Sequence, residues 1–115
     1  MTTYGLVGFP LGHSFSKGFF TEKFQKEDID AEYLNFEIPH IDSLRQIIAS
    51  HPTLKGLNVT LPHKQAVIPL LDELSEEARA IGAVNVIRVT KTPQGIRLKG
   101  FNTDTIGFTK SITPL

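Results

Sequence analysis

Residues 54–71 read LKGLNVTLPHKQAVIPLL. The first seven, residues 54–60, predict a strand that stops at Pro62. From His63 onward, Val67, Leu70 and Leu71 form an apolar face, and Pro69 makes the later part irregular. A strand passing directly into a helix is the repeating unit of a sheet with helices on its faces. In open α/β sheets, ligands gather at the carboxyl ends of strands. This strand end carries Asn58, Thr60, His63 and Lys64.

The same pattern extends on both sides. Residues 4–9 (YGLVGF) predict a buried strand closed by Pro10 and Gly12. Residues 17–26 predict a helix capped by Ser16, with Phe19, Phe20 and Phe24 on one face. Residues 31–38 (AEYLNFEI) alternate as a half-buried strand that Pro39 ends, and residues 41–50 read as a short helix with Leu44, Ile47 and Ile48 inward. Further on, Ser75-Glu76-Glu77-Ala78 opens a helix with acids in its first turn, where the helix dipole favours them, and Gly82 stops it. Residues 84–90 and 96–100 predict two strands joined through Lys91-Thr92-Pro93-Gln94-Gly95 as a hairpin. Residues 105–111 predict the start of another helix. The expected fold class is α/β: a mostly parallel mixed sheet flanked by helices, with a late antiparallel hairpin.

A chain of 115 residues is the size of one domain. Twelve basic residues balance twelve acidic ones, which argues against a nucleic-acid partner, since phosphate binding calls for a basic surface. Without cysteine, disulfides, thiolate metal sites and thiol nucleophiles are excluded. The opening Met1-Thr2-Thr3-Tyr4-Gly5 has neither the basic nor the apolar segment of a secretory signal. No apolar run approaches the roughly 20 residues of a membrane span. The expectation is a soluble cytoplasmic domain without a membrane partner.

Three predicted strand ends carry polar sequence: His13-Ser14-Phe15-Ser16, Asn58 through Lys64, and Asn102-Thr103-Asp104, while Asn85 begins a further strand. Brought together, these offer hydroxyls, amides, one ammonium and one carboxylate, a set suited to a small polyhydroxylated ligand. Each residue also has a plainer role. Ser14 and Ser16 serve equally as turn and N-cap residues, Asp104 as an N-cap, and Asn58 and Asn102 as strand-end turn formers. Lys64 serves equally as a solvated surface lysine. His13 and His63 have no third ligand at a metal-site spacing. No G-x-G-x-x-G turn occurs in the chain.

Gly8-Phe9-Pro10-Leu11-Gly12-His13-Ser14-Phe15-Ser16 resembles the first motif of the shikimate dehydrogenases, G-x-P-x-x-H-S-x-S. Gly56-Leu57-Asn58-Val59-Thr60-Leu61-Pro62-His63-Lys64 is similar to their G-x-N-V-T-x-P-x-K segment. Ile81-Gly82-Ala83-Val84-Asn85 resembles their G-A-V-N element, and Gly100-Phe101-Asn102-Thr103-Asp104 their G-x-N-T-D element. Two positions depart from the pattern: Lys17 replaces a usual proline, and His63 stands where phenylalanine is frequent. The resemblance implies a family that interconverts 3-dehydroshikimate and shikimate with NADP(H), with a quinate-using relative as an alternative. It implies that Ser14 and Ser16 bond the substrate carboxylate. Asn58, Thr60, Asn85 and Asp104 would then hold ring hydroxyls, while Lys64 and Asp104 flank the hydroxyl that becomes a ketone. It further implies that residues 1–104 form the substrate-binding domain and residues 105–115 open an interdomain helix. The cofactor-binding domain is expected to lie beyond the chain as given, so that the 115 residues are a piece of a longer enzyme, inactive alone in hydride transfer. Ile106 and Phe108, normally covered by the rest, would then favour self-association. The other alternative is a stand-alone binding domain for shikimate- or quinate-type ligands.

Overall fold

The computed structural model describes residues 2–11 and 15–103, with the backbone alone for residues 15–17. Its elements follow in the order β1 (Thr2–Gly8), α1 (Phe15–Lys26), β2 (Ala31–Glu37), α2 (Leu44–Ser50), β3 (Leu54–Val59), α3 (His63–Ala66), β4 (Glu73–Leu74), α4 (Glu76–Ile81), β5 (Val86–Thr92) and β6 (Gly95–Phe101). Single 3-10 turns at Ile41–Ser43 and Ile68–Leu70 precede α2 and follow α3. The second contains Pro69, where irregularity was expected.

The strands form one sheet in the order β2-β1-β3-β5-β6-β4. Parallel pairing joins β1 to β2, β1 to β3 and β4 to β6, and antiparallel pairing joins β3 to β5 and β5 to β6. The expected mixed sheet with a late hairpin is therefore what the chain builds. Its hairpin turn is tighter than expected: β5 runs on to Thr92 and β6 starts at Gly95, leaving only Pro93 and Gln94 between them.

Both faces of the sheet are covered. On one face, Val7, Phe36, Leu57, Val59, Ile87, Val89 and Leu98 pack against Leu44 and Ile48 of α2, Val67 and Ala78 of α4. On the other, Leu6, Tyr33 and Val86 pack with Phe20 and Phe24 of α1. Two-sided cover explains why β2 departs from simple alternation: Tyr33 and Phe36, three residues apart, are buried on opposite faces. In α1, Phe20 and Phe24 are buried but Phe19 is 40% exposed. Adjacent helical positions differ by about 100° around the axis, so Phe19 falls off the face that its neighbour shares with Phe24.

Local chemistry sets the helix ends. Ser75 caps α4, its side chain accepting from the Ala78 N–H at 3.2 Å, an arrangement that contributes about 1 kcal/mol. Gly82 closes the same helix at φ 79°, a left-handed conformation that glycine adopts without a Cβ penalty. α1 begins at Phe15, so the backbone of Ser16 lies inside the helix as its second residue, where a position ahead of it was expected. The two-residue β4 has no periodicity to reveal it and was not expected. It is held by its neighbour Asp72, whose carboxylate accepts from the Leu98 N–H at 2.7 Å and faces Arg45 at 3.2 Å. The Leu98 N–H first, and Arg45 after it, hold that carboxyl below the ordinary aspartate value.

Candidate functional site

Because β1 and β3 run parallel while β5 opposes β3 and β6 opposes β5, one edge of the sheet collects the ends of β1, β3 and β6 and the start of β5. Backbone hydrogen bonds stitch these segments together. Thr60 donates to the Val7 carbonyl (2.9 Å), Phe9 to Leu61 (3.1 Å), Val59 to Asn85 (2.8 Å) and Asn85 to Phe101 (3.0 Å). The Lys64 carbonyl accepts from Val84 at 2.8 Å, so the backbone bearing the ammonium is tied to the segment leading into Asn85.

Asn58, Thr60, Lys64 and Asn85 all lie at this edge, half-buried. Ser14 and Asp104 lie outside the described residues, as do Ile106, Phe108 and the expected helix over residues 105–111. Ser16 is placed by its backbone alone. Asn58 sits on the face covered by α1 and donates from Nδ2 to the Tyr33 hydroxyl at 2.8 Å. Lys64 is the second residue of α3, which starts directly after Pro62.

Asn85 is more engaged than expected. Its Oδ1 accepts from the Thr103 N–H at 2.9 Å, and its Nδ2 donates to the Thr103 carbonyl. A primary amide has two N–H groups and two lone pairs, and Thr103 takes one of each. Asn102 returns the bond, donating from Nδ2 to the Ala83 carbonyl at 3.1 Å. This is a long-range tie rather than the local turn expected of Asn102, and the pair of amides fixes the backbone up to Thr103.

His63 is 3% exposed, and its Nε2 donates to the Ile38 carbonyl at 2.6 Å. It ties α3 to the end of β2. Among the described residues, no group of three His, Cys, Asp or Glu side chains is placed to hold a metal. Two participants escaped the sequence reading. Glu37 accepts from the Leu11 N–H at 2.6 Å, bracing the loop that leaves β1, and Tyr33 holds Asn58. An exposed acid and a strand tyrosine carry no sequence signal for either role.

Gly8 shows how closely these segments approach. A Cβ there would meet Thr60 Cγ2 inside any permitted contact and would stand 2.9 Å from Leu11 Cδ2 and 3.1 Å from the Leu61 carbonyl. Gly8→Ala therefore has to push Thr60 and the loop apart. The expected loss is about 2 kcal/mol, the usual scale of overpacking, read by urea denaturation. A variant as stable as the parent would show that the two loops separate freely.

An α/β domain with amides, a hydroxyl and a lysine gathered along one strand edge has the arrangement in which open sheets hold small ligands. The family described as the shikimate dehydrogenase substrate binding domain matches residues 6–87, and the chain belongs to it. The shikimate dehydrogenase (NADP(+)) of Desulforamulus reducens is 44% identical over 111 residues, covering 95% of this chain and 36% of that protein. That of Aquifex aeolicus is 40% identical over 114 residues, covering 97% and 40%. In the crystal structure of shikimate dehydrogenase 1 from Peptoclostridium difficile, the matching part superposes with a TM-score of 0.81 at 37% identity, covering 96% of this chain and 42% of that one. The chain thus spans well under half the length of these relatives.

Proposed function

We propose that the chain is the substrate-binding part of a cytoplasmic NADP-dependent shikimate dehydrogenase, which reduces 3-dehydroshikimate to shikimate in aromatic amino acid biosynthesis. The observation that carries this reading is the gathering of Asn58, Thr60, Lys64 and Asn85 on one sheet edge in a chain of this family. Residues 1–104 form the substrate domain and residues 105–115 open the segment leading out of it. Ser14 and Ser16 bind the carboxylate, and Asn58, Thr60, Asn85 and Asp104 bind ring hydroxyls. Such a site rejects analogues that lack a hydroxyl, because its amides are then left unpaired. Lys64 and Asp104 flank the oxygen that changes between hydroxyl and ketone.

NADP(H) when bound supplies or accepts the hydride. With no G-x-G-x-x-G turn, none of the 115 residues is assigned to hold it, and alone they are proposed to bind substrate without hydride transfer. Lys64 acts on the substrate oxygen. As charge develops there, its ammonium stabilises that charge and delivers the proton. A carboxylate beside it favours the charged amine, so Lys64 serves first as electrostatic clamp and proton donor toward the ketone.

Titration calorimetry with shikimate, then with NADP, then with shikimate on Asp104→Ala tests this. Saturable shikimate binding, weakened at least about tenfold in the variant as expected for a hydrogen bond to a charged group, is the expected result, with no response to NADP. A folded chain that shows no saturation overturns the reading. Tighter binding of quinate would move the substrate to that relative.

A further inference from the structure

Asn58 is proposed above to read a ring hydroxyl. Side-chain torsions separate its amide from the backbone, so the amide can sweep between staggered positions. A site that reads a hydroxyl with such a side chain needs something to hold it in place.

Tyr33 is placed to do so. The register sets Tyr33 level with Tyr4 of β1, and Tyr4 level with Gly56 of β3. Asn58 lies two residues beyond Gly56, on the same face and nearer the site edge. With glycine at position 56, no β3 side chain stands between the tyrosine and the asparagine. The tyrosine ring spans the diagonal, and its hydroxyl receives Asn58 Nδ2 at 2.8 Å. The ring cannot drift. Tyr33 is 2% exposed, and it stacks on Phe20 of α1 with centroids 5.0 Å apart and planes within 15°. Phe20 is itself 3% exposed. A rigid, buried hydroxyl therefore engages one N–H of the amide. Tyr33 leaves the Asn58 oxygen and second N–H unengaged, and the residue is half-buried at the site edge.

We propose that Tyr33 is a positioning residue for substrate recognition: its hydroxyl anchors the side-chain amide of Asn58 at the site edge. The proposal rests on the reading of Asn58 as a substrate contact. Tyr33 itself touches no substrate and acts through Asn58.

Tyr33→Phe removes one oxygen while keeping the ring, its volume and its stack on Phe20. Shikimate affinity measured by calorimetry is expected to fall about tenfold. In an Asn58→Ala background, the same substitution is expected to change affinity less than about twofold, since the group it orients is gone. A purely structural tyrosine would weaken binding equally in both backgrounds, and that additive result overturns the proposal. A readout free of ligand accompanies it. The Asn58 side-chain amide protons, followed by NMR, are expected to be protected from exchange in the parent and to lose that protection in Tyr33→Phe. Unchanged protons overturn the proposal. If the parent chain fails to bind shikimate, the proposed function falls, and the amide protons alone decide whether Tyr33 holds Asn58.

Discussion

Lys64→Ala, introduced in a chain that has dehydrogenase activity, is expected to lower turnover about a thousandfold, the combined scale of a lost proton donor and a lost charge stabiliser. KM is expected to move by less than about fivefold, because the interaction strengthens as charge forms on the substrate oxygen rather than in the ground state. The lysine backbone sits on α3 and is anchored through its carbonyl to Val84, contacts that alanine retains, so the loss reports the ammonium. Lys64→Arg separates the two duties. Arginine keeps the positive charge but gives up a proton far less readily, so partial recovery of turnover would assign most of the effect to charge. Steady-state kinetics across pH decides the matter, and near-normal turnover in Lys64→Ala removes the residue from the mechanism.

Leu57→Ala is expected to act on the opposite account, stability without chemistry. Leu57 is fully buried in β3, with β1 on one side and β5 on the other, and belongs to the core beneath α2. Truncating such a side chain removes its transfer free energy and leaves a cavity, for a loss of about 3–4 kcal/mol. For a domain of this size, that lowers the melting temperature by about 10–20 °C. Its neighbour Asn58 points to the other face, so the variant is expected to retain near-parental shikimate affinity at temperatures where it is folded. Thermal denaturation paired with calorimetry measures both. A loss below about 1 kcal/mol would show that the core closes over the gap, and a collapse of affinity with stability intact would show that the two faces are coupled.

How much of this could be read from the chain depends on the range of the interaction. The stretch from Leu54 to Lys64 announced a strand, its stop and the polar groups just past it, because Pro62 and the apolar run act locally. The hairpin and the α4 stop at Gly82 were legible for the same reason. Strand order was not. Nothing local says that β2 lies beside β1 or that β5 inserts between β3 and β6, and the partner of Asn58 descends from that order. Tyr33 reaches Asn58 across 25 positions, and Asn85 clasps Thr103 across 18. Phe19 was misassigned because a helix face was drawn too wide, and β4 was invisible because two residues have no period. The positions of Asn58, Thr60, Lys64 and Asn85 were readable, whereas their partners were set by pairings that only the folded sheet reveals.

The hairpin has one further implication. Its strands each span seven residues, so the turn at Pro93 and Gln94 stands about 20 Å from the end where Asn85 meets Phe101. The turn is closed by its own bonds, with Thr92 Oγ1 donating to the Gly95 carbonyl and accepting from the Gln94 N–H. The domain thus carries a handle remote from its ligand edge. A dye, a surface tether or a fused peptide attached there would leave the binding groups untouched, making this turn the natural place to convert the domain into a sensor for its ligand.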